Sequence, residues 1–513
     1  MGSRFTRRRF LTALGACVAY LALTNTVGCE LLGRTSKLTS LRLPRVDPLR
    51  TPRVWPLPSV SSSPEEGVWS FRSRPDLSPA ALKMTTTQAH DDTAPGYIFA
   101  ALKEGTGEHG PMIIDDQGEL VWYGKYRSAR DFKMQYYRGR PVLTWWKGKV
   151  MAGHGIGAYV IFDDSYREIA RVRAGNGYRG DLHEFIITPE DTALLVAYAP
   201  ARTNLSPIGG PKDGMAWEGI LQEVDIQSGE VIFEWHSLDH VGIEESYIEL
   251  PEDSDFLYDY FHINSIDVEP DGNLLLCARN TWTVYKVERN SGEVVWRLGG
   301  KRSDFEMGPG TQSAFQHDAR RQRDGTITIF DNGAHPKVHD RSRGIMVELD
   351  EQKMSVKLVR EYTSPKKRLS TSQGNMQLLP NSNVLIGWGS GPFVSEFSYD
   401  GELLLNVRLP PEGESYRAFR FPWSGYPDDD PTVAVEQGPD DKVILYASWN
   451  GATEVATWEV LAGPRQGRLE WVGAVPRDGF ETSMLVQTFD PYIAVRAKDH
   501  FGQVLGISAP VTL

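Results

Sequence analysis

Cysteine is nearly missing from this chain, with three in 513 residues, and three thiols cannot staple a fold of that length, so a hydrophobic core has to hold it. A cationic surplus is missing too. Lys and Arg number 55 against 67 Asp and Glu, for a net charge of −12, which argues against a nucleic-acid backbone as partner. After the first thirty residues no apolar run approaches the roughly twenty needed to span a bilayer. Neither the GxSxG elbow of serine hydrolases nor the HxH or HExxH pairs of zinc enzymes occurs. Core and turn material is plentiful: 40% hydrophobic residues, 14 Trp, 20 Tyr and 20 Phe, with 49 Gly and 32 Pro. That composition excludes disorder and collagen and describes a globular chain with many turns.

The opening segment stands apart. Arg4, Arg7, Arg8 and Arg9 precede an apolar run from Phe10 to Leu23, and Thr26-Val27-Gly28-Cys29 follows. A cationic start before a hydrophobic stretch too short for a membrane span has the shape of a twin-arginine export signal over residues 1–28. Cys29 sits where a bacterial lipobox places its lipid-bearing thiol, although Thr26 stands where Leu is usual. The expectation is an exported, extracytoplasmic protein with Cys29 as a candidate lipid anchor; the plain alternative is cleavage elsewhere and a soluble product. Losing residues 1–28 removes four Arg and no acid, which moves the charge from −12 to −16. Only Cys29 and Cys277 would then remain, so no internal disulfide is expected. Residues 29–95, punctuated by Pro44, Pro48, Pro52, Pro56 and Pro58, read as an extended tether and lead-in.

From Gly96 onward a two-part unit recurs: a polar opening, a strand, an Asp-Gly-type turn, a second strand, then an outer hairpin. The first half shows as His262-Ile263-Asn264 through Asp271-Gly272 to Leu276, and as His317-Asp318-Ala319 through Asp324-Gly325 to Phe330. Outer pairs show as Val224 to Trp235 and Val287 to Trp296, each turning at Ser-Gly. Units start near Gly96, Asp131, Asp181, Phe261, Phe315 and Gly374, which predicts an all-β fold with a six-bladed β-propeller over residues 96–430. The insertions 201–218 and 240–260 read as lids. After Pro431 short alternating strands such as Ile444-Leu-Tyr-Ala-Ser448 and Tyr492-Ile-Ala-Val-Arg496 predict an immunoglobulin or fibronectin-III-like sandwich over 431–513, without a titratable cluster.

Three of the eleven His, namely His183, His262 and His317, open the innermost strand of their units, so their side chains are expected to converge on the central channel. Arg279, on the strand paired with the one His262 opens, and Asn264, two residues along the same face, are expected to join them. Arg offers a planar fork for two oxygens and neutral His a nucleophile or proton carrier, so this pocket suits a small oxyanion. A metal is not expected, because Arg279 would repel it; nor is any cofactor. Gly153-His154-Gly155-Ile156-Gly157 looks like a nucleotide loop but precedes a strand, which discounts dinucleotide binding. Cys277 reads as a buried core thiol.

Asp259-Tyr-Phe-His262-Ile-Asn264-Ser265, then Arg279, then Gln316-His317-Asp-Ala319, together with Gly110-Pro111 through to Trp122, resemble the arylsulfotransferase family over roughly residues 95–430. Ser448 to Glu454 with Gly479 to Thr482 is similar to the sandwich appended in one branch of it. The resemblance implies PAPS-independent transfer of a sulfuryl group from a phenolic sulfate ester to a phenolic acceptor, through a sulfohistidine and by double displacement. By motif it makes His317 the nucleophile, His262 and Asn264 the HxN pair, Arg279 the sulfate-binding residue and His183 an additional channel His. Enterobacterial members carry a disulfide this chain cannot form, and the sandwich replaces their N-terminal dimerisation region, so substrate range and oligomeric state stay open. The alternatives are an aryl sulfate hydrolase with the same pocket and a non-catalytic exported propeller that binds an anionic ligand.

Overall fold

The computed structural model describes residues 53–58, 67–86, 92–251, 257–364 and 366–513, so the export segment and Cys29 lie outside the described residues. The chain is nearly all-β; its one described α-helix is the single turn Ser237–His240. Among the described residues no helix is long and apolar enough to cross a membrane.

Antiparallel meanders follow one another from residue 97 to residue 421. Their first strands are Arg130–Tyr137, Gly180–Ile187, Ile263–Val268, His317–Arg321 and Asn375–Leu378, and each hydrogen-bonds to the next strand in sequence. The sheet of Tyr97–Leu102, Gly110–Ile114 and Leu120–Tyr123 departs from that rule. Its first strand in space is Ser415–Phe421, contributed by the far end of the chain. These six first strands touch one another in a closed ring, Arg130–Tyr137 next to Gly180–Ile187 and so on round to Ser415–Phe421, which touches Arg130–Tyr137 again. Each sheet is apolar on both faces and packs against its neighbours. Phe99, Trp122, Phe132 and Trp145 fill one seam, while Leu275, Cys277, Trp296, Ile329 and Val347 fill another. Burying such side chains fully stabilises by about 2 kcal/mol each, which places the core between sheets rather than on the axis.

The axis is ionic. Glu184 is fully buried and accepts from Lys133 Nζ at 2.7 Å, from Arg417 Nη1 at 3.1 Å and from Arg320 Nη2. Asp131 joins Lys133 at 2.7 Å and Arg417 at 2.9 Å, and Asp318 joins Arg320 at 2.6 Å and Arg417 Nε at 3.3 Å. Burial opposes the charge on Glu184, yet Arg320, Arg417 and Lys133 outweigh it and hold its carboxyl well below the usual range. Glu184 and Asp318 each follow a histidine and lie where the register of their strands shifts, so that the carboxylates join this network while His183 and His317 line a cavity.

Two further sheets follow, Val54–Pro56 with Glu481–Val486, Val443–Ser448 and Thr432–Gln437, and Arg468–Pro476 with Thr457–Arg465, Tyr492–Lys498 and Val504–Ile507. Their inner faces share a core of Trp458, Val460, Leu445, Met484 and Val495. The described part of the expected tether is therefore built into the fold. Val54–Pro56 is the edge strand of the first of these sheets, Lys83–Thr86 pairs with Leu403–Arg408, and Trp69, Phe71 and Leu77 are buried between them in sequence. Proline is tolerated on an edge strand, so a proline-rich extended segment and an added edge strand read alike in sequence.

Candidate functional site

His317 opens its strand and is buried. Its Nδ1 is 2.7 Å from Asn332 Oδ1 and 3.1 Å from the Phe315 carbonyl, both acceptors. The Asn332 amide is itself fixed, since its NH2 donates to the Ser370 and Gln373 carbonyls at 2.9 and 3.0 Å. Nδ1 must therefore carry the proton, and Nε2 is left with its lone pair. That lone pair lies at the cavity, where it accepts a hydrogen bond from the Gln373 N–H at 3.2 Å. Gln373 has φ +64, a left-handed conformation that turns this N–H inward. Burial and the nearby Arg279 charge push His317 well below an ordinary imidazole, so it stays neutral, the form in which Nε2 is nucleophilic.

His262 and His183 face each other with Nε2 atoms 3.1 Å apart, and each has a carboxylate behind it. Asp259 Oδ2 lies 2.5 Å from His262 Nδ1, and Asp181 Oδ1 accepts from His183 Nδ1. With both Nδ1 atoms donating to carboxylates, the bridge between Nε2 atoms closes only when one ring is an imidazolium. Burial is the largest influence on His262 and lowers it to about 4 against the pull of Asp259, so a proton on its Nε2 is readily given up. Asp259 and Asp181 stay ionised: burial works against their charge, and the facing histidines outweigh it.

Arg279 follows the strand Leu274–Ala278, with its N–H on the His262 carbonyl at 2.9 Å. Its guanidinium lies 4.8 Å above the Phe315 ring and donates only to Asn280 Oδ1 at 2.8 Å and the Thr371 carbonyl at 3.3 Å. Among the described residues no carboxylate lies within ion-pair distance of it. Burial lowers its pKa, with Asp259 opposing, and leaves a cation whose remaining donors face the cavity.

His183, His262, Arg279 and His317 line one cavity of about 390 Å³. Asn264 does not. A register shift between Ile263 and Ser265 turns its amide away, so that its NH2 donates to the Gln316 carbonyl at 2.8 Å and its Oδ1 accepts the Asp318 N–H at 3.3 Å. It clamps the backbone on both sides of His317. Nor do the expected lids cover the cavity: Leu205 and Ile243 of the two insertions pack into one apolar cluster, and the described residues of both are absent from the lining. Sequence reasoning missed Asp181, Asp259 and Gln373 and gave Asn332 no definite role. Asp181 and Asp259 carried a local signal, a carboxylate two or three residues before a channel histidine; Gln373 lies in a loop and carried none.

A larger opening of about 490 Å³, lined by Arg368, Phe393 and Arg408, lies apart from this chemistry. Cys277 is fully buried and free, and burial pushes its thiol up to about 12, so it is inert. The family model described as Arylsulfotransferase (ASST) matches residues 133–409. No curated protein matches the chain. Similar solved structures include a protein of unknown function from Bacteroides caccae, at 15% identity over 63% of this chain and 98% of that one with a TM-score of 0.39. Others are a luciferin-regenerating enzyme, at 11% identity over 76% and 97% with a TM-score of 0.32, and a virginiamycin B lyase from Staphylococcus aureus, at 9% identity over 79% and 100% with a TM-score of 0.26.

Proposed function

This chain belongs to the arylsulfotransferase family, and from that premise we propose that it moves a sulfuryl group from a phenolic sulfate ester to a phenolic acceptor by way of a sulfohistidine at His317. Family membership supports aryl sulfotransferase activity with an aryl sulfate donor and a phenolic acceptor in general. The mechanism is our reading of the cavity, and one observation carries it: a neutral imidazole with its Nε2 lone pair toward a cavity that also holds an unpaired guanidinium.

In the first half-reaction His317 Nε2 bonds to sulfur as the bond from sulfur to the phenolic oxygen breaks, and the phenolate takes, through His262, the proton that the bridge between the His262 and His183 Nε2 atoms holds. The Nδ1 proton of His317 stays on Nδ1, hydrogen-bonded to Asn332 Oδ1 and the Phe315 carbonyl, whose oxygens offset the positive charge the ring acquires. Arg279 holds the sulfuryl oxygens, whose charge shifts most at the transition state, and the Gln373 N–H, which loses Nε2 as its acceptor when that lone pair bonds to sulfur, passes to them. In the second half-reaction an acceptor phenol gives its proton back to His262 and its oxygen takes the sulfuryl group from His317. Asp259 and Asp181 keep both channel histidines oriented. Asn264 serves by positioning the His317 backbone.

The ring of first strands supports reading the meanders as six blades of a propeller over residues 96–430, closed by Ser415–Phe421, with residues 431–513 as an appended sandwich. In the same reading residues 1–28 are a twin-arginine signal and Cys29 bears the lipid. Cys29→Ser should then shift the protein from the membrane to the soluble fraction.

A chromogenic aryl sulfate mixed with protein and phenol should release dye, and phenol-independent release at the same rate would favour hydrolysis instead. Arg279→Met should lower kcat/KM by about 10²- to 10³-fold. It should also move the acid limb of the pH profile upward. Arg279 is one cause of the depressed His317 pKa, so its removal raises that pKa and protonates the nucleophile sooner as pH falls. An unmoved acid limb would count against His317 as the titrating group.

A further inference from the structure

The Gly153 to Gly157 stretch has no part in the sulfuryl chemistry, and its shape has a local cause. The Gly155 N–H donates to the Asp181 carboxylate, and a Cβ on Gly155 would come within 2.6 Å of the Leu182 nitrogen. This close approach seats His154 between Tyr198 and Trp217, with ring centroids at 4.3 and 4.8 Å. There it is buried, 3% exposed, and neither of its ring nitrogens has a hydrogen-bond partner among the described residues. Buried polar atoms of this kind call for a partner.

Facing it is Asp259. Its Oδ2 lies 3.5 Å from His154 Nε2, inside ion-pair range but without hydrogen-bond geometry, and its Oδ1 is also buried and unpartnered among the described residues. His262 Nδ1 completes the group, the three ligand atoms lying within 4.8 Å of one another. In a tetrahedral site with bonds of about 2.0–2.1 Å, ligand atoms stand roughly 3.3 Å apart, so small side-chain adjustments would close these three on one ion. The expectation that Arg279 excludes a cation applies to the cavity. The cluster lies on the Nδ1 edge of His262, whereas its Nε2 edge faces His183, and Asp259 supplies the compensating charge. Asp259 is 25% exposed at its side chain, which leaves a way in.

The geometry points to a binding site for a divalent cation of the zinc class at His154, Asp259 and His262, with one water as fourth ligand. Imidazole and carboxylate donors in this number suit Zn²⁺ and Co²⁺ rather than Mg²⁺ or Ca²⁺. On binding, the cation takes the Nδ1 lone pair of His262, and the proton Nδ1 had donated to Asp259 leaves to solvent. Asp259 then serves the cation and no longer orients His262. Occupancy therefore slows sulfuryl transfer, a consequence that rests on the functional reading above; the binding itself does not.

Chelator-treated full-length protein titrated with Co²⁺ should take up one equivalent and develop the visible absorption of a four-coordinate site, which Zn²⁺ bleaches by competition. Saturating Zn²⁺ should slow transfer by about tenfold or more, reversibly on adding chelator. His154→Phe should abolish both the absorption and the Zn²⁺ inhibition while its metal-free transfer persists. If that variant fails to fold, Asp259→Asn, assayed for Co²⁺ uptake alone, should bind at least tenfold more weakly. Absence of a Co²⁺ spectrum in the unaltered protein, or equal uptake by His154→Phe, overturns the site. Stoichiometric, His154-dependent uptake by a protein with no transferase activity upholds the site and overturns the functional reading instead.

Discussion

His317→Ala is expected to lower kcat/KM for sulfuryl transfer by at least about 10³-fold, because in the mechanism proposed above it removes the atom that bonds to sulfur and not merely a contact to it. Intact-mass measurement makes the prediction sharper than a rate alone. Aryl sulfate donor given without acceptor should leave one added sulfuryl group on the unaltered protein and none on His317→Ala. Adduct on the variant at the same level would place the covalent step elsewhere and sink the assignment. His262→Ala should behave differently. It keeps the nucleophile and loses the proton donor, so donors with acidic phenol leaving groups, which depart without a proton, should suffer far less than donors with poor ones. The two variants thus separate bond formation at Nε2 from protonation of the leaving oxygen.

What the sequence allowed, and what it hid, follows from how repeats encode position. His183, His262 and His317 were legible because they hold like places in their units, His183 inside Gly180–Ile187, His262 just before Ile263–Val268 and His317 at the start of His317–Arg321, so equivalence along the chain became proximity in space. The same equivalence extends one strand further, to Asn332. Arg279 follows the second strand Leu274–Ala278, and Asn332 follows the second strand Ile327–Asp331, so the two are equivalents in successive units. Asn264 was misplaced for a physical reason: strict alternation puts it beside His262, and the register shift at Ile263 and Ser265 breaks the alternation. The closing strand Ser415–Phe421 was hidden because its sheet begins more than three hundred residues earlier, at Tyr97, and no local pattern reports a pairing that distant. Arg417 and Arg420, three residues apart within that strand and both buried, are intelligible only with the ring closed.

That ring sets the second large expectation. Glu184→Gln should destabilise the fold by about 3–5 kcal/mol, since it leaves Arg417, Arg320 and Lys133 buried around one fewer charge than they now share. Denaturant unfolding followed by tryptophan fluorescence would measure it, and a loss below about 1 kcal/mol would show that the network is replaceable by neutral hydrogen bonds. Glu184→Gln combined with Lys133→Met restores the balance of charge and should recover part of the loss, a coupling that independent sites would not show. Acid provides an orthogonal check. The Glu184 carboxyl is depressed in the folded protein, so its contribution is complete above the unfolded carboxyl pKa of about 4.3 and disappears as pH falls through the lower folded value. Stability of the unaltered protein should therefore decline more steeply below about pH 4.3 than that of Glu184→Gln, and the two curves should converge in acid. Because Glu184 follows His183 and Asp318 follows His317, the six charges also fix the strands from which these cavity histidines project. A variant that keeps its fold but loosens this network should raise KM and lower kcat together, through misplacement of His183 and His317 relative to Arg279.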